Sequence, residues 1–348
     1  MKKLMVLIVV LASAIAVAPA RAESVCTDDI DAAMPFDVFG VTGHVSKPAA
    51  EPTTLVVFGH GYRNRSDSWI AHLESASNER GAIAFATDYQ GTGPAPDNRG
   101  WRVKEGAKEM VDLSRALLAV CPSIQTVAVL GVSMGGNSTG LAVAAKAKRS
   151  DGKPLFDYWV DIEGAANALE TYLEASAIAS GNAYAAGARD DIAQECGGTP
   201  SEKPDCYREI TVVSRASDIA NSGVKRVVLV HGLDDGLVPY NQSRELNTAL
   251  RAEGVRTDMY TVLRRNPNGT PEDQGGTTIT QNVADPLFGA AGQRYARPLA
   301  GHGWEGSSTH IVIKTGFDQL WRLIDGVGIA SESREFLVDG EAGTLPVA

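Results

Sequence analysis

Short, continuous runs of apolar residues recur along this chain, separated by longer stretches whose apolar positions fall at helical spacing. The runs at 53–58, 82–87, 124–130, 158–162 and 226–230 are rich in Val, Ile, Ala and Leu. Runs this short and this uniformly apolar predict strands buried on both faces, as in a parallel sheet. Between them, 68–80, 102–119 and 240–252 read as helices, 257–263 as a further strand and 311–324 as a closing helix. The segment 36–45 predicts one or two earlier antiparallel strands. Strand and helix in regular alternation predict an α/β fold, with a mostly parallel central sheet and helices on both faces.

Two segments break the rhythm. Residues 164–223 lie between two predicted core strands and far exceed a usual connection of a few residues. Their first part, 165–179, is helix-like, and the second carries two cysteines. This segment is expected to be an inserted cap, leaving 23–163 and 224–348 as the core. The other interruption, 264–293, is rich in Gly, Pro, Asn and Thr and is expected to be a long loop.

The chain opens Met1-Lys2-Lys3, runs apolar from Leu4 to Ala18 and continues Pro19-Ala20-Arg21-Ala22. A basic start, a short apolar core and small residues before the cut predict a secretory signal over 1–22. The apolar run is shorter than the roughly 20 residues a span needs, and no other stretch predicts stable membrane insertion. Removing Lys2, Lys3 and Arg21 takes the net charge from −10 to −13. So acidic a surface repels phosphate backbones and argues against nucleic acid as a partner. All four cysteines, Cys26, Cys121, Cys196 and Cys206, fall in the exported part, and an even count there favours two disulfides. Cys196 and Cys206 are the expected pair on proximity and Cys26 with Cys121 follows, with the two other pairings still open. None sits in a zinc-type cluster, so no metal is implied.

Chemistry enters at Gly131-Val132-Ser133-Met134-Gly135. A β-rich run precedes this pentapeptide, and an Ala-rich stretch at 141–148 follows and reads as helix. Strand, Gly-x-Ser-x-Gly, helix is the setting of a nucleophile elbow, in which a tight turn lifts the serine hydroxyl off the sheet. A serine hydroxyl is a poor nucleophile and needs a base, itself oriented by a carboxylate. The expected chain order is Ser, then Asp or Glu, then His. Only His231, His302 and His310 follow the elbow.

At this point the chain resembles an α/β-hydrolase. His231-Gly232-x-x-Asp235-x-x-Val238-Pro239 is similar to that family's acid turn, and Gly301-His302-Gly303 to its base loop. Phe58-Gly59-His60-Gly61-Tyr62 resembles the oxyanion loop, and Asp88-Tyr89-Gln90-Gly91-Thr92-Gly93 the Asp-x-x-Gly-x-Gly turn. The likeness covers roughly 53–324. It implies an α/β-hydrolase fold, a triad of Ser133, Asp235 and His302, and oxyanion donors in the backbone N–H groups of Tyr62 and Met134. It also makes His231 a structural residue of the acid turn. Asp234 and Glu163 are the alternative acids and His310 the alternative base. His60 is expected to shape its loop. Trp69, Trp101 and Trp304 read first as core, although Trp304 is close enough to the base to wall a pocket. Arg63 and Arg65 read as solvated loop charges before they read as contacts for an acidic substrate. Asn137-Ser138-Thr139 matches a glycosylation sequon, but sits too close behind the nucleophile to carry a glycan.

The expectation is therefore a secreted or periplasmic serine hydrolase that cleaves small-molecule or polymeric carboxylic esters through an acyl-enzyme, with no cofactor. A peptidase or amidase of the same fold, built from the same groups, is the alternative. A non-catalytic binding protein on the same scaffold is the third reading, weakened because every triad member is present.

Overall fold

The computed structural model describes residues 25–28, 30–38, 40–89, 100–181, 183–233, 235, 237–263, 273–281, 295–300, 302, 311–339 and 343–346. The predicted leader at 1–22 lies outside the described residues, as do most of the Asp-x-x-Gly-x-Gly turn, Asp234, Trp304 and His310.

A hairpin of β1 (Met34–Val38) and β2 (Val41–Ser46) leads into β3 (Thr54–Gly59). A 3-10 turn at Ser66–Trp69 then runs into α1 (Ile70–Asn78), followed by β4 (Ile83–Thr87) and α2 (Val103–Val120). β5 (Thr126–Val132), α3 (Met134–Ala144) and β6 (Tyr158–Ile162) come next. Four helices separate β6 from β7 (Arg226–Gly232): α4 (Ala168–Ile178), α5 (Ala183–Cys196), α6 (Pro204–Ile210) and α7 (Ala216–Ser222). The chain closes with α8 (Tyr240–Ala252), β8 (Thr257–Val262), β9 (Asp273–Gln281), β10 (Tyr295–Ala300), α9 (Ile311–Ile324), β11 (Arg334–Asp339) and β12 (Gly343–Pro346).

Among the described residues, ten strands form one sheet in the order β1-β2-β4-β3-β5-β6-β7-β8-β11-β12. The seven from β4 to β11 are parallel, and antiparallel pairs flank them at both edges. This is the α/β architecture expected from the strand and helix alternation, and the α/β-hydrolase fold that the resemblance implied. Alternate strand residues face opposite sides. Leu55, Val57, Val129, Trp159 and Leu229 join α2, α3 and α8 in one core, while Val56, Phe58, Leu130, Val160 and Val230 join α1 and α9 in the other. Each such side chain contributes on the order of 1.5–3 kcal/mol by burial. The strand ends are thereby fixed by packing on both faces. Strand order reverses beside β3, which pairs β4 on one side and β5 on the other. In an open parallel sheet, ligands bind beyond the carboxyl ends of the strands at such a point.

Three local expectations need correction. The helix after the elbow begins at once, at Met134, and ends at Ala144, rather than covering 141–148. Its first turns are Gly, Asn, Ser and Thr, poor helix formers in isolation, yet every residue is buried and small side chains permit the close packing. The segment 264–293 is more than a loop, because its described part is β9, antiparallel to β10. And β11 with β12 extends the sheet where no strand was expected.

Both expected disulfides are present. Cys26–Cys121 ties the segment before β1 to the end of α2, and Cys196–Cys206 ties α5 to α6. Among the described residues no helix is long and apolar enough to cross a membrane.

Candidate active site

Ser133 caps β5 with φ 60° and ψ −126°, a region that costs a non-glycine residue roughly 1–3 kcal/mol. Neighbours hold it there. Its N–H donates to the Ile162 carbonyl at 3.0 Å, and its own carbonyl accepts from Gly136 and Ala165 at 2.9 and 3.1 Å. Side chains are excluded on either side of the turn. A Cβ on Gly131 would meet the Gly135 carbonyl oxygen at 2.1 Å, and one on Gly135 would meet that of Gly59 at 2.1 Å. The hydroxyl-bearing residue is left half-buried, lining a cavity with Tyr62, Trp101, Tyr184, Leu237 and Val238.

The acid turn follows β7. Asp235 is buried; its Oδ1 accepts the N–H groups of Leu237 and Val238 at 2.9 and 3.0 Å. Its Oδ2 lies 2.7 Å from His302 Nδ1. Burial alone would push its carboxyl up. The positive charge of His302 and the bonds from His231 and His302 outweigh that, holding it well below the usual carboxylate range. His231 braces the turn: Nε2–H donates to the Val238 carbonyl at 2.9 Å, which leaves Nδ1 to accept from Ser243 Oγ at 2.6 Å. The structure thus brings Asp235 and His302 into contact across 67 residues of chain.

Ser133 reaches the same cluster through β6. Its N–H bonds Ile162, and the next residue, Glu163, carries Oε2 to within 3.4 Å of His302 Nδ1. Glu163, weighed in the sequence as an acid in place of Asp235, stands beside it instead. Glu163, His231 and Asp235 are close enough to suggest a metal cluster among the described residues. The chemistry does not fit one, since both His231 nitrogens already make protein hydrogen bonds.

On the other side of Ser133 the turn after β3 is tightly built. His60 is buried and stacks on Tyr89 at 3.9 Å, with Nδ1–H donating to the Gly61 carbonyl at 2.9 Å. Burial lowers its pKa to about 4, so it stays neutral and shapes the loop. Asp88 accepts from Thr42 Oγ1, Arg65, the Ser66 N–H and Ser66 Oγ. Arg65 therefore braces this turn through Asp88 while its side chain stays partly exposed. Arg63 is not a free charge either; its guanidinium lies over the Tyr62 and Tyr184 rings at 5.1 and 5.3 Å. Tyr62 sits in the turn itself. Met134 is the first residue of α3, where a backbone N–H has no partner within its helix. Their strands are adjacent, with Gly59 paired to Gly131, so both residues flank Ser133.

Trp69 is core and Trp101 walls the cavity. Asn137 is buried and donates to the Ala165 and Ile210 carbonyls at 2.8 and 2.9 Å, which closes the sequon to a glycan. Sequence reasoning missed Tyr184 and Asp191 of α5. They reach the site through tertiary packing, and no local pattern marks them.

The prolyl oligopeptidase family model matches residues 69–266, a stretch holding Ser133 and Asp235 and ending before His302. Among solved structures, a puromycin hydrolase is similar at 16% identity and TM-score 0.51, over 88% of this chain and 42% of its own. An acylaminoacyl peptidase from Pyrococcus horikoshii aligns at 18% identity and TM-score 0.48, over 66% of this chain and 36% of its own. Est1E from Butyrivibrio proteoclasticus aligns at 17% identity and TM-score 0.46, over 66% and 88%. The chain thus spans well under half the length of the first two, and likeness at such identity is one of fold alone. No curated protein matches.

Proposed function

This chain belongs to the prolyl oligopeptidase family, and from that premise we propose that it is an exported serine hydrolase cleaving peptide or aminoacyl-amide bonds. Ser133 is the nucleophile, His302 the base and Asp235 the carboxylate that orients it. The observation that carries this reading is the 2.7 Å contact between Asp235 Oδ2 and His302 Nδ1 in a chain with a strained elbow serine. Family membership moves the peptide or amide reading ahead of the ester reading that the motifs alone favour.

With Asp235 accepting from Nδ1, the proton of neutral His302 sits there and Nε2 is the basic nitrogen. Ser133 Oγ attacks the substrate carbonyl carbon as Nε2 takes its proton. The carbonyl π electrons move to oxygen, and the N–H groups of Tyr62 and Met134 meet that charge. Collapse of the tetrahedral species breaks the C–N bond, and His302 returns its proton to the departing amine. Water then repeats the sequence on the acyl-enzyme. An amine leaves only once protonated, so amide cleavage leans harder on the His302–Asp235 pair than ester cleavage does. The two disulfides suit an oxidising compartment, in keeping with the leader at 1–22. Within the insertion at 164–223, α4 and α5 supply cavity walls and so bear on substrate choice.

The test is turnover of aminoacyl-4-nitroanilides beside the matched p-nitrophenyl esters, by the wild type and by Ser133→Ala. Both activities should be present in the wild type and lost in the variant. An enzyme that turns over esters but leaves every anilide untouched would return the reading to an esterase. Undiminished activity in Ser133→Ala would remove the serine mechanism.

A further inference from the structure

We propose that Glu163 is a second carboxylate for His302, a positioning residue that shares the imidazolium charge with Asp235. The inference rests on the reading of His302 as the base. Glu163 follows β6, is fully buried, and has φ 49°, a left-handed backbone that a non-glycine residue keeps only where its surroundings impose it. Its N–H donates to the Val230 carbonyl at 2.8 Å, its Oε1 accepts the Gly232 N–H at 3.1 Å, and its Oε2 lies 3.4 Å from His302 Nδ1. Asp235 approaches the same nitrogen at 2.7 Å. Nδ1 therefore faces two carboxylates.

Backbone donors hold each of them, Gly232 for Glu163 and Leu237 with Val238 for Asp235. Such donors favour the ionised forms. Two buried anions repel, and a cation beside both relieves the repulsion. That cation is the imidazolium formed when His302 takes the Ser133 proton. Among the described residues, the other titratable groups near this pair are His231, whose Nε2 is 3.4 Å from Asp235 Oδ2, and Asp161, buried two residues back on β6. His231 Nε2 makes its shorter contact with the Val238 carbonyl, at 2.9 Å, while His302 Nδ1 is the nitrogen that both carboxylates approach. Glu163 also links base to nucleophile, since the residue before it accepts the Ser133 N–H.

The decisive variant is Glu163→Gln, which keeps the acceptor for Gly232 and the volume while removing the charge. With p-nitrophenyl butyrate as probe, the acid limb of the kcat/KM profile should move to lower pH by about one unit, because a base with one fewer anion nearby holds its proton less firmly. The plateau kcat should fall about tenfold with KM little changed. A purely structural Glu163 would leave limb and plateau as in the wild type, and that result overturns the inference. Should Glu163→Gln not fold, Glu163→Asp draws the charge back by one methylene and is read by the same limb, an unmoved limb again overturning the inference. Active His302→Ala would instead remove the base itself. Inactive His302→Ala beside a wild-type-like Glu163→Gln removes only the role given to Glu163.

Discussion

Tyr62, in the turn after β3, donates its hydroxyl to Asp191 of α5, so that helix grips the turn that flanks Ser133. Arg63 completes the clasp between the Tyr62 and Tyr184 rings. The orientation of the Tyr62 N–H is thereby coupled to the seat of α5. Asp191→Ala and Tyr62→Phe should each lower kcat roughly three- to tenfold on p-nitrophenyl butyrate, a part of the roughly 1.5–3 kcal/mol lost when a charge-assisted hydrogen bond goes. Asp190→Ala, at the exposed neighbour, should leave kcat unchanged.

The elbow allows no added atom at Gly135. A Cβ there would stand 2.1 Å from the Gly59 carbonyl oxygen and 2.5 Å from its carbon, both backbone atoms with no rotamer to escape into. Gly135→Ala should destabilise the fold by about 3 kcal/mol or more. A lowered urea midpoint, together with lost fluorophosphonate labelling, is the expected result.

Asp161 lies under the same turn, fully buried, with neither carboxylate oxygen hydrogen-bonded. Burial pushes its pKa up to about 7, against a weaker opposing pull from His231. The folded protein therefore keeps a proton that the unfolded chain releases near pH 4. This contribution to stability is complete below about pH 4 and is lost as pH rises through 7, a change on the order of 4 kcal/mol. Asp161→Asn has no proton to lose. Urea unfolding at pH 5 and pH 8 should show the wild type losing more stability than the variant over that interval.

At the other end of the sheet, Asp258 is fully buried between Arg226 Nη1 at 2.6 Å and Arg322 Nη2 at 3.0 Å. Arg334 Nε lies 3.7 Å from the same carboxylate, so Asp258→Asn removes the counter-charge of three guanidinium groups and should cost about 3–5 kcal/mol. The kcat per folded molecule should not change, because the pair sits far from Ser133 along the strands.

The two disulfides should differ in weight. Cys26–Cys121 closes a loop of 95 residues and Cys196–Cys206 one of 10. Loop entropy assigns about 4.7 kcal/mol to the first and about 3 kcal/mol to the second. Paired Cys→Ser variants, compared by chemical denaturation, should rank in that order.

What the sequence carried locally was legible. Uniformly apolar strands such as 158–162, the elbow glycines and the Asp235 turn announce themselves because their burial or backbone geometry restricts the residues they accept. β11 escaped because Arg334-Glu335-Phe336-Leu337-Val338-Asp339 is charged at both ends, as befits a strand near the sheet edge. The start of α3 escaped because Gly135, Gly136 and Asn137 are helical only through packing against β3 and β6, which local propensity does not record. Glu163 was visible as a carboxylate after a strand. Its place beside His302 depends on a left-handed backbone and on residues 139 positions further along the chain.

The most direct test of the central assignment is intact-protein mass spectrometry after treatment with a fluorophosphonate, followed by peptide mapping. One adduct per molecule, carried by Ser133 and abolished both in Ser133→Ala and in His302→Ala, is the result this account predicts. An unlabelled wild type, or an adduct mapped to another residue, would contradict it.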